Sequence, residues 1–489
     1  LVMNARGNTV GTGSGEEFVH YVVVLNPLEK KVQLYENGVF FEEFDWGRSP
    51  RGNIVPLLLE KIQDAEAYIG RAVQTNGTPP ANYIGKVTEF RIWNGALDKV
   101  QIAASYAAGP DTVSIDPGVP SSVTLELSDP TAVVGTIQRP TVLGTFAGGT
   151  IDLTGAPGVG FTSDNPNVVR VDGNRLRAVG VGTANIVARY AGVTDSKAVT
   201  VVEKSLRLTH RYPFNGDALD RVGEAHGVLK GNARIQNNQL VLTGQVNPLT
   251  YVEFPSDLIS GYDAVTVEVI GSYVNANNNR LFEFGDYALS DGVTYFSHTP
   301  NQSRAFTLAP LPVRNGGLAA GGQAEASATA AQNVGRVHIT VVANENTHTI
   351  HYYTNGVLAA SVTNNNVNVS TIVNARSFLG RSVWLNDPLL NGTVDEYRIW
   401  YGAMTPSDVA LMFAAGSDPE LSATVSGGNV TVKWLATQVS EGYSLEYSPS
   451  LSPASWTAAG AATLVGDSYQ VVIPLASLPD EGAFFRLVK

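Results

Sequence analysis

The sequence predicts an all-β chain made of tandem β-sandwiches, and three observations predict it. The composition is rich in turn formers, with 49 Gly and 25 Pro in 489 residues, and only 16% of residues are charged. That mix suits short strands joined by turns. Strand-length runs alternate polar and apolar side chains: Val87, Glu89, Arg91 and Trp93 fall on one face, Phe90 and Ile92 on the other. Finally, one long passage is written twice. A chain of this length exceeds a single core, and the usual domain size implies about three to four domains.

The repeated passage is "YIGKVTEFRIWNGALDKVQIAASYAAG", Tyr83 to Gly109, against "LLNGTVDEYRIWYGAMTPSDVALMFAAG", Leu389 to Gly416. Gly85 to Trp93 is eight residues, as is Gly392 to Trp400; Trp93 to Gly109 is sixteen, as is Trp400 to Gly416. Upstream, His20 lies seventeen residues before Asn37, and His338 seventeen before Asn355. "YIGRA" (Tyr68 to Ala72) aligns with "FLGRS" (Phe378 to Ser382). Spacing is kept inside elements and varies between them, as expected of two copies of one fold. Asn37-Gly38 and Asn355-Gly356 predict hairpins. The passages after Trp93 and Trp400 predict short helices, the second with Thr405 as N-cap, Pro406 at the first helical position and Gly416 closing it.

The order of these pieces resembles the laminin G-like, concanavalin A-type jelly roll: a strand opening at His, a Tyr-x-Asn-Gly hairpin, an Ile/Leu-Gly-Arg strand, then Gly-x-Val-x-Glu-x-Arg-Ile-Trp and a short helix. The resemblance covers residues 1–113 and 205–418. "LTHRYPFNGDALDRVGEAHGVLKGNARIQNNQLVLTG", Leu208 to Gly244, looks like the family's opening strands, and the first copy has no counterpart to it. Either the chain is a fragment of something longer, or another chain supplies the missing strands by homo-assembly through the incomplete sandwich. The fragment is the favoured expectation, because an open half-sandwich would expose apolar edges.

Between the copies, "FTSDNPNVVRVDGNRLRAVGVGTANIVARYAGVTDSKAVTVV" (Phe161 to Val202) strings short strands between Asp-Asn-Pro, Asp-Gly-Asn and Gly-Val-Gly-Thr turns. It resembles a bacterial Ig-like group 2 domain, assigned to residues 114–204, and the resemblance implies a rigid spacer. Residues 419–489 resemble a small fibronectin-III-like sandwich. Together these resemblances imply an exported bacterial multidomain protein, at the cell surface or outside it.

The net charge of −12 argues against nucleic-acid partners and anionic membrane surfaces, which select basic patches. With no cysteine, disulfides, thiolate metal sites and thiol nucleophiles are excluded. No run of 18 apolar residues predicts a membrane span.

No reaction centre emerges, and no enzyme activity is expected. "EFDWGR", Glu43 to Arg48, is the nearest text to a paired-carboxylate strand and ends in Arg where the acid would stand. "GTGSG", Gly11 to Gly15, lacks the Lys-Ser/Thr of a phosphate loop. His348 and His351, three apart on a strand pattern, would face opposite ways and could not chelate one ion. His20 and His338, Trp93 and Trp400, and the pairs Glu89–Arg91 and Glu396–Arg398 read as packing and structural ion pairs.

Two binding sets remain. The resemblance implies calcium as the candidate cofactor, held by loop carboxylates: Asp217 and Asp220 in the opening loop and Asp395 before Glu-Tyr-Arg-Ile-Trp. Sugar binding calls for exposed aromatic faces, and Trp384, with Tyr295 and Tyr273 beside Asn-rich turns, are the candidates. The function expected is a non-catalytic, extracellular or cell-surface adhesion or carbohydrate-binding protein. Two alternatives stand beside it: the accessory binding region of a polysaccharide-degrading enzyme, or a structural subunit of an extracellular fibre or layer.

Overall fold

The computed structural model describes residues 19–27, 31–45, 69, 86–245, 249–274, 278–288, 292–299, 304–308, 323–327, 335–384, 387–416, 421–436, 443–450, 455–466, 468–479 and 483–488. Gly11–Gly15, Trp46 to Arg48 and all of "YIGRA" except Ile69 lie outside them. The chain is nearly all β, with two α-helices among the described residues, Lys99–Ala108 and Pro406–Ala415.

Residues 207–416 form a two-sheet sandwich. One sheet runs Arg234–Gln236, Gln239–Thr243, Asn391–Tyr401, Ala264–Val274, Val337–Asn344, Thr349–Thr354, Val357–Thr363, and Arg207–Tyr212 also pairs with Asn391–Tyr401. The other runs Val228–Lys230, Tyr251–Phe254, Arg376–Leu379, Phe282–Ala288, Gly292–Thr299, Arg304–Leu308, Gln323–Ser327. Alternation decides which side chains fill the space between them. Along the central strand, Val394, Tyr397, Ile399 and Tyr401 enter the core with Val265, Val267, Val269 and, from the facing sheet, Phe254, Phe282, Phe284 and Phe296.

Glu396, Arg398 and Trp400 point to the opposite face, which helix Pro406–Ala415 covers. Met404, Val409 and Met412 pack there on Trp400, Leu208, Val342 and Tyr353. Thr405 caps the helix in a reciprocal box with Asp408, Pro406 opens it and Gly416 ends it, as the sequence predicts. Polar groups under the helix are tied to one another. Trp400 Nε1 donates to Glu268 Oε2 at 2.7 Å, and His338 Nε2 lies 2.9 Å from Glu268 Oε1. Arg398 donates to Glu396 at 3.0 Å and to the Gly416 carbonyl at 2.5 Å. Burial alone would raise the Glu268 carboxyl; the Arg398 charge, with His338 and the Trp400 N–H, holds it below its usual value. The repeated Glu-x-Arg-Ile-Trp is therefore scaffold in this sandwich.

The N-terminal segment carries the same local geometry. His20 N donates to Asn37 Oδ1 at 3.0 Å, and His338 N to Asn355 Oδ1 at 2.9 Å. Asn37-Gly38 and Asn355-Gly356 both turn through positive φ, 51° and 79° against 50° and 77°. A Cβ on Gly38 would strike Tyr106 at 2.9 Å, and one on Gly356 would strike Phe413 at 3.0 Å, so each hairpin turn is pressed against its helix. Arg91 donates to Glu89 at 2.6 Å and to the Gly109 carbonyl at 3.1 Å.

One expectation fails here. Val87–Trp93 belongs to no sheet among the described residues. The strand at the matching place, Asn391–Tyr401, gets its neighbours from Arg207–Tyr212, Gln239–Thr243 and Ala264–Val274, and the segment has no counterparts to them among the described residues. Phe90 and Ile92 are consequently 62% and 83% exposed, where Tyr397 and Ile399 are buried.

Residues 122–202 fold as small sheets around one core of Leu125, Val142, Leu153, Leu176, Ile186 and Val201 among others. This unit is joined tightly to the sandwich. Asp257, buried, accepts from Arg175 at 2.9 Å and Arg139 at 3.4 Å. Ile137 N donates to the Ser260 carbonyl at 2.8 Å, and Glu224 pairs with Lys197 while accepting from Leu127 N. The main chains come so close that a Cβ on Gly223 would lie 1.9 Å from the Ser128 carbonyl. The last unit, residues 421–488, packs two sheets around Trp434, and its Tyr443 hydroxyl accepts from Arg211 at 2.8 Å.

Candidate functional site

The second sheet of the sandwich has one face in the core, so alternation fixes what the other face carries. Val252, Phe254, Phe282, Phe284, Phe296 and Leu379 are core residues. Tyr251, Glu253, Phe378, Glu283, Tyr295 and Ser297 therefore project outward. Register aligns them into a row: Glu253 opposes Phe378, Phe378 opposes Glu283, and Glu283 opposes Ser297.

One half of this face is aromatic. Tyr251 and Phe378 meet edge to face with ring centroids 5.4 Å apart. The Arg381 guanidinium lies 4.6 Å from the Tyr251 ring centre and 5.2 Å from that of Phe378. Trp384, half-buried, packs on the same cluster together with Val383.

The other half is polar. Glu283 is fully buried and accepts from Arg280 Nε at 2.7 Å, Val383 N at 2.6 Å and Ser382 Oγ at 3.1 Å. Arg280 also reaches Asp387, 3.2 Å away. Burial pushes the Glu283 carboxyl up against the opposing pull of Arg280, and does the same at Asp387. The Tyr295 phenol is pushed up as well, by burial first and by the Glu283 charge second. Ser297 Oγ, Thr299 Oγ1 and Asn279 Oδ1 are buried atoms with no hydrogen-bond partner. Such atoms are uncommon in folded proteins; Asn279, Ser297 and Thr299 are at most 1% exposed, so a ligand reaches them only if what covers them moves.

Of the aromatic residues read from the sequence, Trp384 alone keeps a partly open position. Tyr273 and Tyr295 are each 6% exposed, Tyr273 within the sandwich core, so neither presents a free ring face, and the expectation of a platform at these two is corrected. Tyr295 does belong to the face, two residues before Ser297 and on the same side of its strand. Tyr251, Phe378, Arg381, Arg280, Glu283 and Asp387 were not singled out. Their signal is Glu283 between Phe282 and Phe284, which puts the carboxylate on the face opposite two core rings.

The three carboxylates proposed for calcium do not fit a shared site. Asp217 accepts from Leu219 N and Arg221. Asp220 is buried, with one oxygen on Arg211 N and Val222 N and the other 2.7 Å from His210 Nδ1. Asp395 is held by Gln239 and Arg336. Among the described residues no cluster of three or more His, Asp or Glu could hold a metal. His348 sits in the turn before its expected strand, while His351 bonds Ser361, so the two do not converge.

Residues 250–410 match the concanavalin A-like lectin/glucanases superfamily. This stretch is a concanavalin-like, laminin G-type jelly roll, and it contains the whole of the face described above. No curated protein matches the chain. Solved structures similar to it include domain 4 of AbnA, a GH43 extracellular arabinanase from Geobacillus stearothermophilus, in complex with arabinotriose; that likeness has 22% identity and a TM-score of 0.31, over 42% of this chain and 98% of that one. Another is the CBM40 of a Ruminococcus gnavus IT-sialidase bound to α2,3 sialyllactose, at 12% identity and a TM-score of 0.25, over 30% of this chain and 82% of that one. The binding domain of Paraclostridial Mosquitocidal Protein 1 is similar at 13% identity and a TM-score of 0.33, over 47% of this chain and 64% of that one. None of these likenesses is close enough to carry a ligand or a site across. No helix among the described residues is long and apolar enough to cross a membrane.

Proposed function

We propose that the chain is a non-catalytic carbohydrate-binding protein of the extracellular space or cell surface, and that its jelly roll takes a saccharide on the outer face of the second sheet. The observation that carries this reading is the pairing, on one face, of an aromatic cluster with buried, unsatisfied hydroxyls. A sugar ring offers both C–H faces and hydroxyls, so it complements both halves. Trp384 and Asp387, both partly exposed, supply a ring face and a hydrogen-bonding group, and Ser297 and Thr299 join them once their cover moves. In the same reading residues 1–113 belong to a second jelly roll, residues 114–204 are an Ig-like spacer and residues 419–489 a fibronectin-III-like module. Calcium has no assigned part, because protein donors already engage the three carboxylates.

The test is an array of neutral and acidic oligosaccharides probed with the full chain, followed by titration of any hit. Trp384→Ala and Ser297→Ala should each weaken binding, the first by about tenfold or more. EDTA should leave it unchanged. Absence of any hit, or a hit indifferent to both substitutions, would refute the assignment.

A further inference from the structure

The 122–202 unit has six Lys and Arg residues against six Asp and Glu residues, yet four of the six cations gather at one sheet. That sheet runs Val169–Asp172, Arg175–Ala178, Ile137–Gln138. Val169, Leu176 and Ala178 enter the core of the unit, and Val171 packs on it. Alternation therefore turns Arg170, Asp172, Arg175 and Arg177 outward, and Arg139 directly follows the rim strand. Register sets Arg170 opposite Arg177 and Asp172 opposite Arg175. Like charges in directly opposed positions cost stability, so the Arg170–Arg177 rung is not one that sheet formation favours.

The carboxylates at this sheet are outnumbered. Asp172 Oδ2 accepts from Arg170 Nη2 at 3.1 Å and from Arg177 Nε at 3.2 Å, and its Oδ1 accepts from Arg170 Nε at 2.9 Å. Asp257 Oδ2, buried on the sandwich side of the seam, accepts from Arg175 Nε at 2.9 Å and Arg139 Nε at 3.4 Å. Four guanidiniums thus share two carboxylates, a local excess of positive charge in a chain whose net charge is −12. Arg139, Arg175 and Arg177 use only their Nε–H groups in these pairs. Among the described residues the terminal nitrogens of all three have no other side-chain partner. The four side chains are 27% to 54% exposed, so these donors are open to solvent. A guanidinium fork with free N–H groups matches the paired oxygens of a carboxylate or a sulfate.

The rest of the surface narrows the class of partner. None of the outward residues on these strands is aromatic, so bases would find no stacking platform. The charges of the unit balance, unlike the basic footprint of a nucleic-acid-binding domain or the Lys/Arg clusters that hold anionic lipid. A ligand with separate acid groups set among hydroxyls fits better than a continuous polyanion. We propose that this arginine row binds an acidic glycan, whose carboxylate or sulfate oxygens accept from the free guanidinium N–H groups of Arg177, Arg175 and Arg139. The 122–202 unit would then be a binding module as well as a spacer. The row shares no residue with the face around Trp384, so the inference does not rest on that reading.

The probes are three fluorescent oligosaccharides of equal length, an oligogalacturonate, a sulfated dextran fragment and an unmodified dextran fragment, titrated into the full chain. At least one acidic probe should bind and the neutral one should not; which acidic probe binds distinguishes carboxylate from sulfate. Raising the salt from about 0.05 to about 0.5 M should weaken binding by about tenfold or more, because exposed charges are screened. Arg177→Gln should weaken it by about three- to tenfold, and Arg177→Lys, which keeps the charge without the fork, by less. Asp172→Asn should do the opposite and strengthen binding, since it removes a competing acceptor; loss of a merely structural ion pair would not have that sign. Both positions are exposed, and Asp257, which anchors the seam, is left intact in these variants. Binding of neither acidic probe, or binding indifferent to Arg177→Gln and Asp172→Asn, would overturn the proposal. An RNA oligonucleotide that binds more tightly than both acidic probes at the same salt would overturn the choice of partner. A neutral saccharide seated on the Trp384 face should not compete; competition would place both ligands at one site and overturn the second one.

Discussion

Trp400 Nε1 and Glu268 Oε2 sit 2.7 Å apart on neighbouring strands, both side chains buried beneath a helix. The carboxylate there answers an indole, an imidazole and a guanidinium at once. Glu268→Gln removes the charge that balances Arg398, and should cost about 3–5 kcal/mol, the range for breaking a buried ion pair from one side. Trp400→Phe leaves the pair intact and loses one hydrogen bond and some packing, so about 1–3 kcal/mol is expected. Urea denaturation followed by intrinsic fluorescence measures both; equal losses would show that the charge contributes nothing beyond the indole contact.

Asp129 gives a pH dependence with a defined sign. It is buried at the junction of the sandwich and the 122–202 unit, and burial, against the pull of His210 and Arg207, moves its carboxyl from 3.8 to about 6. The folded value is raised, so this group's stabilising contribution is complete below pH 3.8 and is lost as pH rises to about 6. The difference corresponds to something on the order of 3 kcal/mol. Asp129→Asn should flatten the stability profile between pH 4 and 6, measured by denaturation at a series of pH values. An unchanged slope would remove Asp129 as its origin.

Asp257 is the anchor of the seam between the two units. Asp257→Ala leaves Arg139 and Arg175 without their shared acceptor and strips the Ser260 hydroxyl of its partner. Calorimetry of the unaltered chain should show the 122–202 unit and the sandwich melting together, and the variant should separate them into two transitions with the smaller unit first. A single unbroken transition in the variant would mean that apolar contact, Val133 in the sandwich core above all, holds the seam unaided.

Arg280 balances two carboxylates on the candidate face. Arg280→Ala should destabilise by about 3–5 kcal/mol if Glu283 and Asp387 stay ionised. Pairing it with Glu283→Gln should recover part of the loss, because the burial cost of that charge is removed with it. A double-mutant cycle in chemical denaturation reads the coupling. Additive losses would deny that the two groups act as a pair.

The scaffold was legible in the sequence because spacing carried it. Asn-Gly turns, the Thr405-Pro406 helix start and, at Glu396–Trp400, the Glu-x-Arg-Ile-Trp alternation each have a local cause and are found where expected. Val87–Trp93 was misread as a paired strand because alternation reports which face a residue takes, not whether a neighbour exists. The face around Glu283 was mostly missed for a related reason. Tyr251, Arg280, Phe378 and Asp387 lie up to 136 residues apart in the sequence, and strand pairing with the adjoining loops brings them to one face. Tyr273 and Tyr295 show the limit of composition: a turn-flanking tyrosine is as good a core residue as a platform.

Arg211 joins Tyr443 of the last unit to Glu396 of the central strand, and Glu396 is shared with Arg398. The last unit is thus tied through side chains to Asn391–Tyr401, a strand with neighbours on both sides, and not to a strand at the rim of the sheet.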